Sequence, residues 1–271
     1  MLHYPQIDPI IIELGPLAIR WYSLAYVAGI ALGCLYADWL NKKPPVQKNL
    51  RVFDDFMTWV VLGIVFGGRI GYVLFYNLVH YLDNPLDIFK LWEGGMSFHG
   101  GFLGVVTACV IYCRKYKISL FPLFDLAACT APIGLLFGRL ANFINGELYG
   151  RITDSPLGMI FPRGGDLPRH PSQLYEAALE GIALLLITSC IVNFTNAKQK
   201  PGILSGVFVA GYGIARIIVE NFREPDAQIG FLFGNITTGQ ALSFPMVLVG
   251  SGLVWWAAGR KLKFRAQDLQ P

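Results

Sequence analysis

The chain has 271 residues, 54% hydrophobic and only 15% charged, with a net charge of +4 and a mean hydropathy of +0.48. A typical soluble domain carries roughly 25% charged residues. This composition excludes an ordinary soluble globular protein and argues for one embedded in a membrane.

A helix needs about 20 mostly apolar residues to cross a bilayer. In chain order, seven stretches approach or meet that need: residues 18–40, 56–79, 96–113, 120–145, 174–193, 203–222 and 236–259. The last is the clearest, with no charge from Asn235 through Gly259. The runs are continuous rather than alternating, which speaks against a β-barrel. The expected architecture is all-α: a polytopic integral membrane protein with seven transmembrane helices in a single domain, residues 1–271. No basic region precedes the first span, so a cleavable signal peptide is not expected there.

Cytoplasmic loops collect Lys and Arg. The loop after span one holds Lys42, Lys43, Lys48 and Arg51, and the loop after span three holds Arg114, Lys115 and Lys117. Lys198 and Lys200 follow span five, and Arg260, Lys261, Lys263 and Arg265 follow span seven. The opposite loops hold fewer: Lys90, Arg151, Arg163, Arg169 and Arg223. This predicts an outside N-terminus and a cytoplasmic C-terminus. The positive net charge then needs no nucleic acid to explain it.

With that orientation, each intramembrane polar residue has a depth. Arg20 and Tyr22 open span one, Arg69 lies past the middle of span two, and His99 starts span three. Arg139 and Asn142 come late in span four, Glu176 and Glu180 early in span five, and Arg216 and Glu220 late in span six. All fall in the outer half; Asp125, near the inner end of span four, is the exception. Charges inside a membrane are costly and usually line a cavity or pair with one another. Their shared depth predicts one polar cavity opening to the outer leaflet. The cysteines Cys34, Cys109, Cys113, Cys129 and Cys190 lie in inner halves, where apolar packing rather than disulfide chemistry is expected.

Gly67 and Gly71, and Gly100 and Gly104, have the small-xxx-small spacing that lets membrane helices approach closely. Plain packing is the reading for these glycines, but it does not account for His99 beside them. In GRLANFINGELYG, residues 138–150, Arg139, Asn142 and Asn145 recur at three-residue spacing on one helix face. Asn145-Gly146 then signals a turn, with Glu147 just beyond it. A planar guanidinium can bind two phosphate oxygens at once, so an outer-half arginine fits a phospholipid head group. Arg216 and Glu220 stand at i, i+4, followed by Arg223, Glu224 and Asp226. Pro171 and Ser172 suit a helix start, and His170 before them reads as a surface structural residue. There is no phosphate-binding glycine loop, metal-spaced Cys/His cluster or nucleophile elbow, so no cofactor and no metal are expected.

These blocks together resemble the bacterial prolipoprotein diacylglyceryl transferases. GRLANFINGELYGR is similar to that family's signature, with Ala141 where many members carry glycine. RWYSLAY, GGRIGYVLFYN, GGMSFHGG, RHPSQLYE and GYGIARIIVENFREPDAQ extend the match from the first span to the sixth. The resemblance implies a reaction at the outer (periplasmic) leaflet of the bacterial plasma (inner) membrane. The diacylglyceryl group of phosphatidylglycerol moves to the lipobox cysteine of a prolipoprotein signal peptide, leaving a thioether and glycerol 1-phosphate. This is the first step of lipoprotein maturation. The nucleophile comes from the substrate, so the enzyme needs no reactive cysteine. A free thiol with pKa of about 8.5 is mostly protonated at neutral pH, and fixed cations would stabilise the departing phosphate.

The resemblance also implies roles. Arg139 and Arg216 are phosphate and leaving-group contacts. His99 is the candidate general base, with Tyr22 and Tyr212 as alternatives or orienters, unless the cationic field alone ionises the thiol. Asn142, Glu147, Gly150 and Glu220 match further positions that bind the lipid. Two readings compete with the enzyme. A transporter or flippase also carries intramembrane charges but often shows paired repeats and midplane broken helices, and no repeat is evident here. A non-catalytic scaffold leaves the converging cations without a purpose.

Overall fold

The computed structural model describes residues 2–14, 17–46, 50–224, 231–232 and 236–260. Lys48, Asp226, Asn235, Lys261, Lys263 and Arg265, which entered the sequence argument, lie outside the described residues. In chain order the helices are α1 (Trp21–Asn41), α2 (Met57–Tyr76), α3 (Leu78–Asp83), α4 (Phe98–Tyr116), α5 (Leu120–Ile144), α6 (Ser172–Glu176), α7 (Leu184–Phe194), α8 (Ile203–Val219) and α9 (Thr238–Ala258). Two short antiparallel pairs accompany them: β1 (Ile10–Leu14) with β2 (Leu17–Arg20), and β3 (Phe231–Leu232) with β4 (Ile236–Thr237). A π-helical segment, Ala177–Ala183, joins α6 to α7, making one helical rod from Ser172 to Phe194.

Among the described residues, five helices are long and apolar enough to cross a membrane: α1, α2, α5, the Ser172–Phe194 rod and α9. Two of the seven expected spans fall short of that standard. Helix α8 has only 17 residues, because it stops three residues before the expected end at Phe222. Helix α4 has 19 residues but carries His99 at one end and Arg114 and Lys115 in its last turn.

Other boundaries differ for local reasons. Residues 18–20, expected in the first span, form β2 instead, with Ile19 opposite Ile12 and Ala18 opposite Glu13. The β-branched run Ile10–Ile11–Ile12 favours a strand, and Arg20 is still extended where α1 begins. Helix α4 starts at Phe98 rather than Met96, because the Ser97 hydroxyl accepts the Gly100 N–H at 3.2 Å and so caps it. Helix α9 starts behind a reciprocal cap between Thr237 and Gln240.

The chain divides into two compact units, residues 46–123 and the remainder. In the smaller one, α2 and α4 meet along their glycines. A Cβ on Gly71 would lie 2.6 Å from the Gly100 Cα, so the packing reading of that spacing holds. Arg69 sits nearby on α2, nearly buried, but it is not a free intramembrane cation. Nε donates to the Ile88 carbonyl at 2.8 Å, Nη1 to Gly94 and Gly95, and Nη2 to Asp87 and Lys90. A guanidinium has five N–H donors, and here all are directed to the loop after α3.

In the larger unit, α1 reaches the Ser172–Phe194 rod through Tyr36, whose hydroxyl is 2.7 Å from the Ser189 hydroxyl. Helices α8 and α9 cross at Gly206, where a Cβ would come within 2.7 Å of the Gly250 carbonyl oxygen. All five cysteines are free; four are buried, while Cys190 faces outward and so departs from the packing expectation.

Candidate active site

The site residues of the larger unit are brought together by close approach of apolar helices. Gly181 lies in the π-helical segment, where an added Cβ would stand 2.8 Å from the Leu136 Cβ and 2.9 Å from its Cα. Glycine there lets α5 close against the rod. Arg139, one turn beyond Leu136 on α5, then meets two carboxylates. Its Nη1 is 3.2 Å from Glu176 Oε2, and its Nη2 donates to Glu180 Oε2 at 3.1 Å.

Helix α8 supplies the opposing side. Arg216 Nη1 donates to Glu176 Oε1 at 2.5 Å and lies 3.9 Å from Glu180 Oε1. Its Nη2 is 2.5 Å from Glu220 Oε1, the i, i+4 pair that the sequence predicts. Arg223, beyond the end of α8, adds Nη1 to Glu176 Oε1 at 3.0 Å. Gly239, in the first turn of α9, makes room for Glu220, since a Cβ there would run into its carboxylate. Tyr212 stands one turn before Arg216, near enough to Glu180, Arg139, Arg216 and Glu176 to feel their charges.

The side chains of Glu176 and Glu180 are 0% exposed, while those of Arg139, Arg216 and Arg223 keep 17%, 16% and 13%. The carboxylates therefore lie beneath and the guanidiniums reach outward. The three arginines meet three carboxylates, Glu176, Glu180 and Glu220, so the cluster is balanced in formal charge. What it offers an anion is oriented N–H donors held in place, more than net positive charge.

A second polar group follows on α5. Asn142 Nδ2 donates to Glu147 Oε1 at 2.8 Å, and Asn145 Nδ2 to the same oxygen at 3.4 Å. The chain can return because Gly146 takes a positive φ of 62°, as the Asn-Gly turn signal predicts. Leu148 also has a positive φ, 58°, a conformation uncommon outside glycine. Two contacts hold it: the Ser172 hydroxyl donates to the Leu148 carbonyl at 3.0 Å, and Gln173 Nε2 donates to the Glu147 carbonyl at 2.6 Å. Tyr4 donates to the last carbonyls of α5, Phe143 at 2.8 Å and Ile144 at 2.9 Å. The Tyr22 hydroxyl is 3.3 Å from that of Tyr26, and the phenol lies beside Asn142.

Gly150 marks a backbone crossing. Its N–H donates to the His170 carbonyl at 2.8 Å, it bridges Arg223, and an added Cβ would collide with the Phe222 carbonyl. His170 is half-buried rather than superficial. Its ring stands 5.1 Å from that of Phe222, with Nδ1 3.2 Å from the Tyr175 hydroxyl. Burial pushes its pKa below the usual histidine value.

The structure thus gathers Arg139, Arg216, Glu220 and Tyr212 into one cluster, and brings Tyr22 from α1 beside Asn142, which bonds Glu147 just past the end of α5. His99 belongs to the smaller unit, in the first turn of α4, where it is exposed. Glu176, Glu180 and Arg223 were not singled out as site residues from sequence. Glu176 and Glu180 were legible as an acidic i, i+4 pair at the depth of the predicted cavity, and Arg223 as a basic residue just beyond the Arg216–Glu220 pair.

The family model described as prolipoprotein diacylglyceryl transferase matches residues 9–256 of this chain. The chain belongs to the prolipoprotein diacylglyceryl transferase family. Proteins named phosphatidylglycerol–prolipoprotein diacylglyceryl transferase are similar over nearly the full length. The one from Paramagnetospirillum magneticum is 53% identical, the match covering 97% of this chain and 98% of the relative. The one from Rhodospirillum rubrum is 53% identical over 97% and 96%. The one from Rhizobium meliloti is 54% identical over 96% and 94%. Guanidinium binds phosphate through paired donors, and that is the chemistry the arginine cluster can supply.

Proposed function

We propose that this chain is a phosphatidylglycerol–prolipoprotein diacylglyceryl transferase catalysing the first step of lipoprotein maturation. The observation that carries the mechanism is the pairing of Arg139 and Arg216, from two different helices, on the buried Glu176 carboxylate. Two guanidiniums fixed side by side suit the phosphodiester of a lipid head group.

In the reaction, the lipobox thiol loses its proton and its sulfur attacks the diacylglyceryl carbon bound to phosphate. An S–C bond forms and the C–O bond to phosphate breaks. Glycerol 1-phosphate departs with the electron pair and takes up a proton. Charge grows on the leaving phosphate, so donors from Arg139 and Arg216 stabilise the transition state more than the ground state. His99 is the candidate acceptor of the thiol proton by family resemblance, with Tyr22 and Tyr212 as alternatives. Asn142, Glu147, Glu220 and Gly150 complete the lipid site, with Gly150 acting through the backbone crossing it permits.

The same reading makes the chain a single membrane domain with seven spans, N-terminus outside and C-terminus cytoplasmic. Helices α4 and α8 are the two additional crossings. The excess of Lys and Arg in alternate loops supports this orientation and puts the arginine cluster toward the outer leaflet of the bacterial plasma membrane. The substrates are phosphatidylglycerol and a prolipoprotein signal peptide bearing the lipobox cysteine.

The test is a mass shift. Purified protein in detergent is mixed with phosphatidylglycerol and a synthetic lipobox peptide, and the peptide is weighed. The expected result is a gain of one diacylglyceryl group, absent when the peptide cysteine is alanine. No gain from folded, lipid-bound protein would overturn the reading, and lipid flipping would be measured next.

A further inference from the structure

Glu176 receives guanidiniums from three separate parts of the chain. Oε1 accepts from Arg216 at 2.5 Å and from Arg223 at 3.0 Å, while Oε2 lies 3.2 Å from Arg139. Glu180 reaches Arg139 and Arg216, and Glu220 reaches Arg216. Among the ion pairs of the described residues, Glu176 is the carboxylate common to all three arginines. Its side chain is 0% exposed while the arginines reach outward. The π-helical segment that begins at Ala177 has a wider turn than an α-helix, and both Glu176 and Glu180 meet the arginines across it.

Arg139 and Arg216 therefore meet the two oxygens of one carboxylate, Arg139 as an ion pair at Oε2 and Arg216 by a hydrogen bond at Oε1, which Arg223 shares. A phosphodiester likewise presents two anionic oxygens on one centre. Guanidiniums spaced by the first are spaced for the second. We propose that Glu176 is the positioning residue of the phosphate clamp, templating the separation of Arg139 and Arg216 for the two non-bridging oxygens of the lipid phosphodiester. It touches no reacting atom and acts through the arginines. This inference rests on the transferase reading above.

The test uses the full-length protein in detergent, with phosphatidylglycerol and lipobox peptide varied separately and thermal unfolding measured on each variant. Glu176→Asp keeps the charge but is one methylene too short to hold all three arginines. It is expected to raise KM for phosphatidylglycerol about tenfold and to lower kcat, consistent with the large cost of small misplacements at a reacting centre. KM for the peptide stays near wild type, while the unfolding midpoint falls in part, because a buried ion pair is loosened. Glu176→Gln shifts the same lipid parameters further; if it does not fold, the aspartate variant decides. A Glu176→Asp enzyme with wild-type KM for phosphatidylglycerol overturns the proposal. So does one in which both KM values and the unfolding midpoint move together, since that marks general structural support. Wild-type protein that never lipidates the peptide contradicts the transferase reading itself, and shows this before any variant is made.

Discussion

Asp125 on α5 caps the start of α8 through Ser205. Its Oδ1 accepts the Ser205 N–H at 2.8 Å and the Ser205 hydroxyl at 2.6 Å, and its Oδ2 accepts the Gly202 N–H at 2.8 Å. The first N–H groups of a helix have no partner within it, and the positive end of the helix dipole favours an anion. This accounts for the one intramembrane charge that the sequence placed apart from the others. It serves a neighbouring helix.

Asp125→Ala leaves those donors stranded in a buried setting. An unsatisfied buried group costs roughly 1–3 kcal/mol, so a marked fall in the unfolding midpoint is expected. Asp125→Asn, which keeps an acceptor oxygen, falls less. Transfer rate per folded molecule stays at the wild-type level in both. An alanine variant that unfolds with the wild type would show that the cap contributes nothing.

Arg139→Lys and Arg216→Lys keep the charge and lose the planar fork. Loss of one oriented donor at a developing charge typically costs about 10²–10³ in rate. Each variant is expected to fold and to lose rate toward that range, read by the peptide mass assay. Full activity in either removes that arginine from the clamp. Alanine is the poorer probe here, because it removes a guanidinium from the buried carboxylate cluster, and breaking a buried pair costs about 3–5 kcal/mol of stability.

His99→Gln separates the candidate bases. If His99 accepts the thiol proton, the variant loses rate and the acid limb of its pH–rate profile disappears. An unchanged rate and profile would exclude His99. The same profile measured on Tyr22→Phe and Tyr212→Phe then distinguishes the two phenols.

His170 gives stability a pH dependence with a definite sign. Burial depresses its folded-state pKa, so the folded protein binds this proton at a lower pH than the unfolded chain does. The contribution is fully present above the unfolded value, about 6.5, and declines as pH falls from there through the folded pKa. His170→Gln is expected to flatten that part of the stability curve. An identical acid limb in wild type and variant would remove His170 as its source.

By itself the sequence determined the features that depend on near neighbours. The helix face shared by Arg139 and Asn142, the Asn145-Gly146 turn that returns Glu147, and the Arg216–Glu220 pair all follow from helical spacing and local turn chemistry. The close approach at Gly67, Gly71 and Gly100 was legible for the same reason, since a missing Cβ acts wherever the residue lies.

Only the tertiary structure decided which charge answers which. Glu176 and Arg216 are 40 positions apart, and nothing in either segment says that one carboxylate will gather three arginines. Arg69 and Arg139 shared the same expected depth, yet one binds the carbonyls of its own loop and the other a buried carboxylate pair. Asp125 and Ser205 are 80 positions apart. A charge in an apolar run must find a partner, because leaving it bare is so costly. That need is written in the sequence, but the partner is chosen by which helices can close upon each other, through contacts such as Gly181 against Leu136.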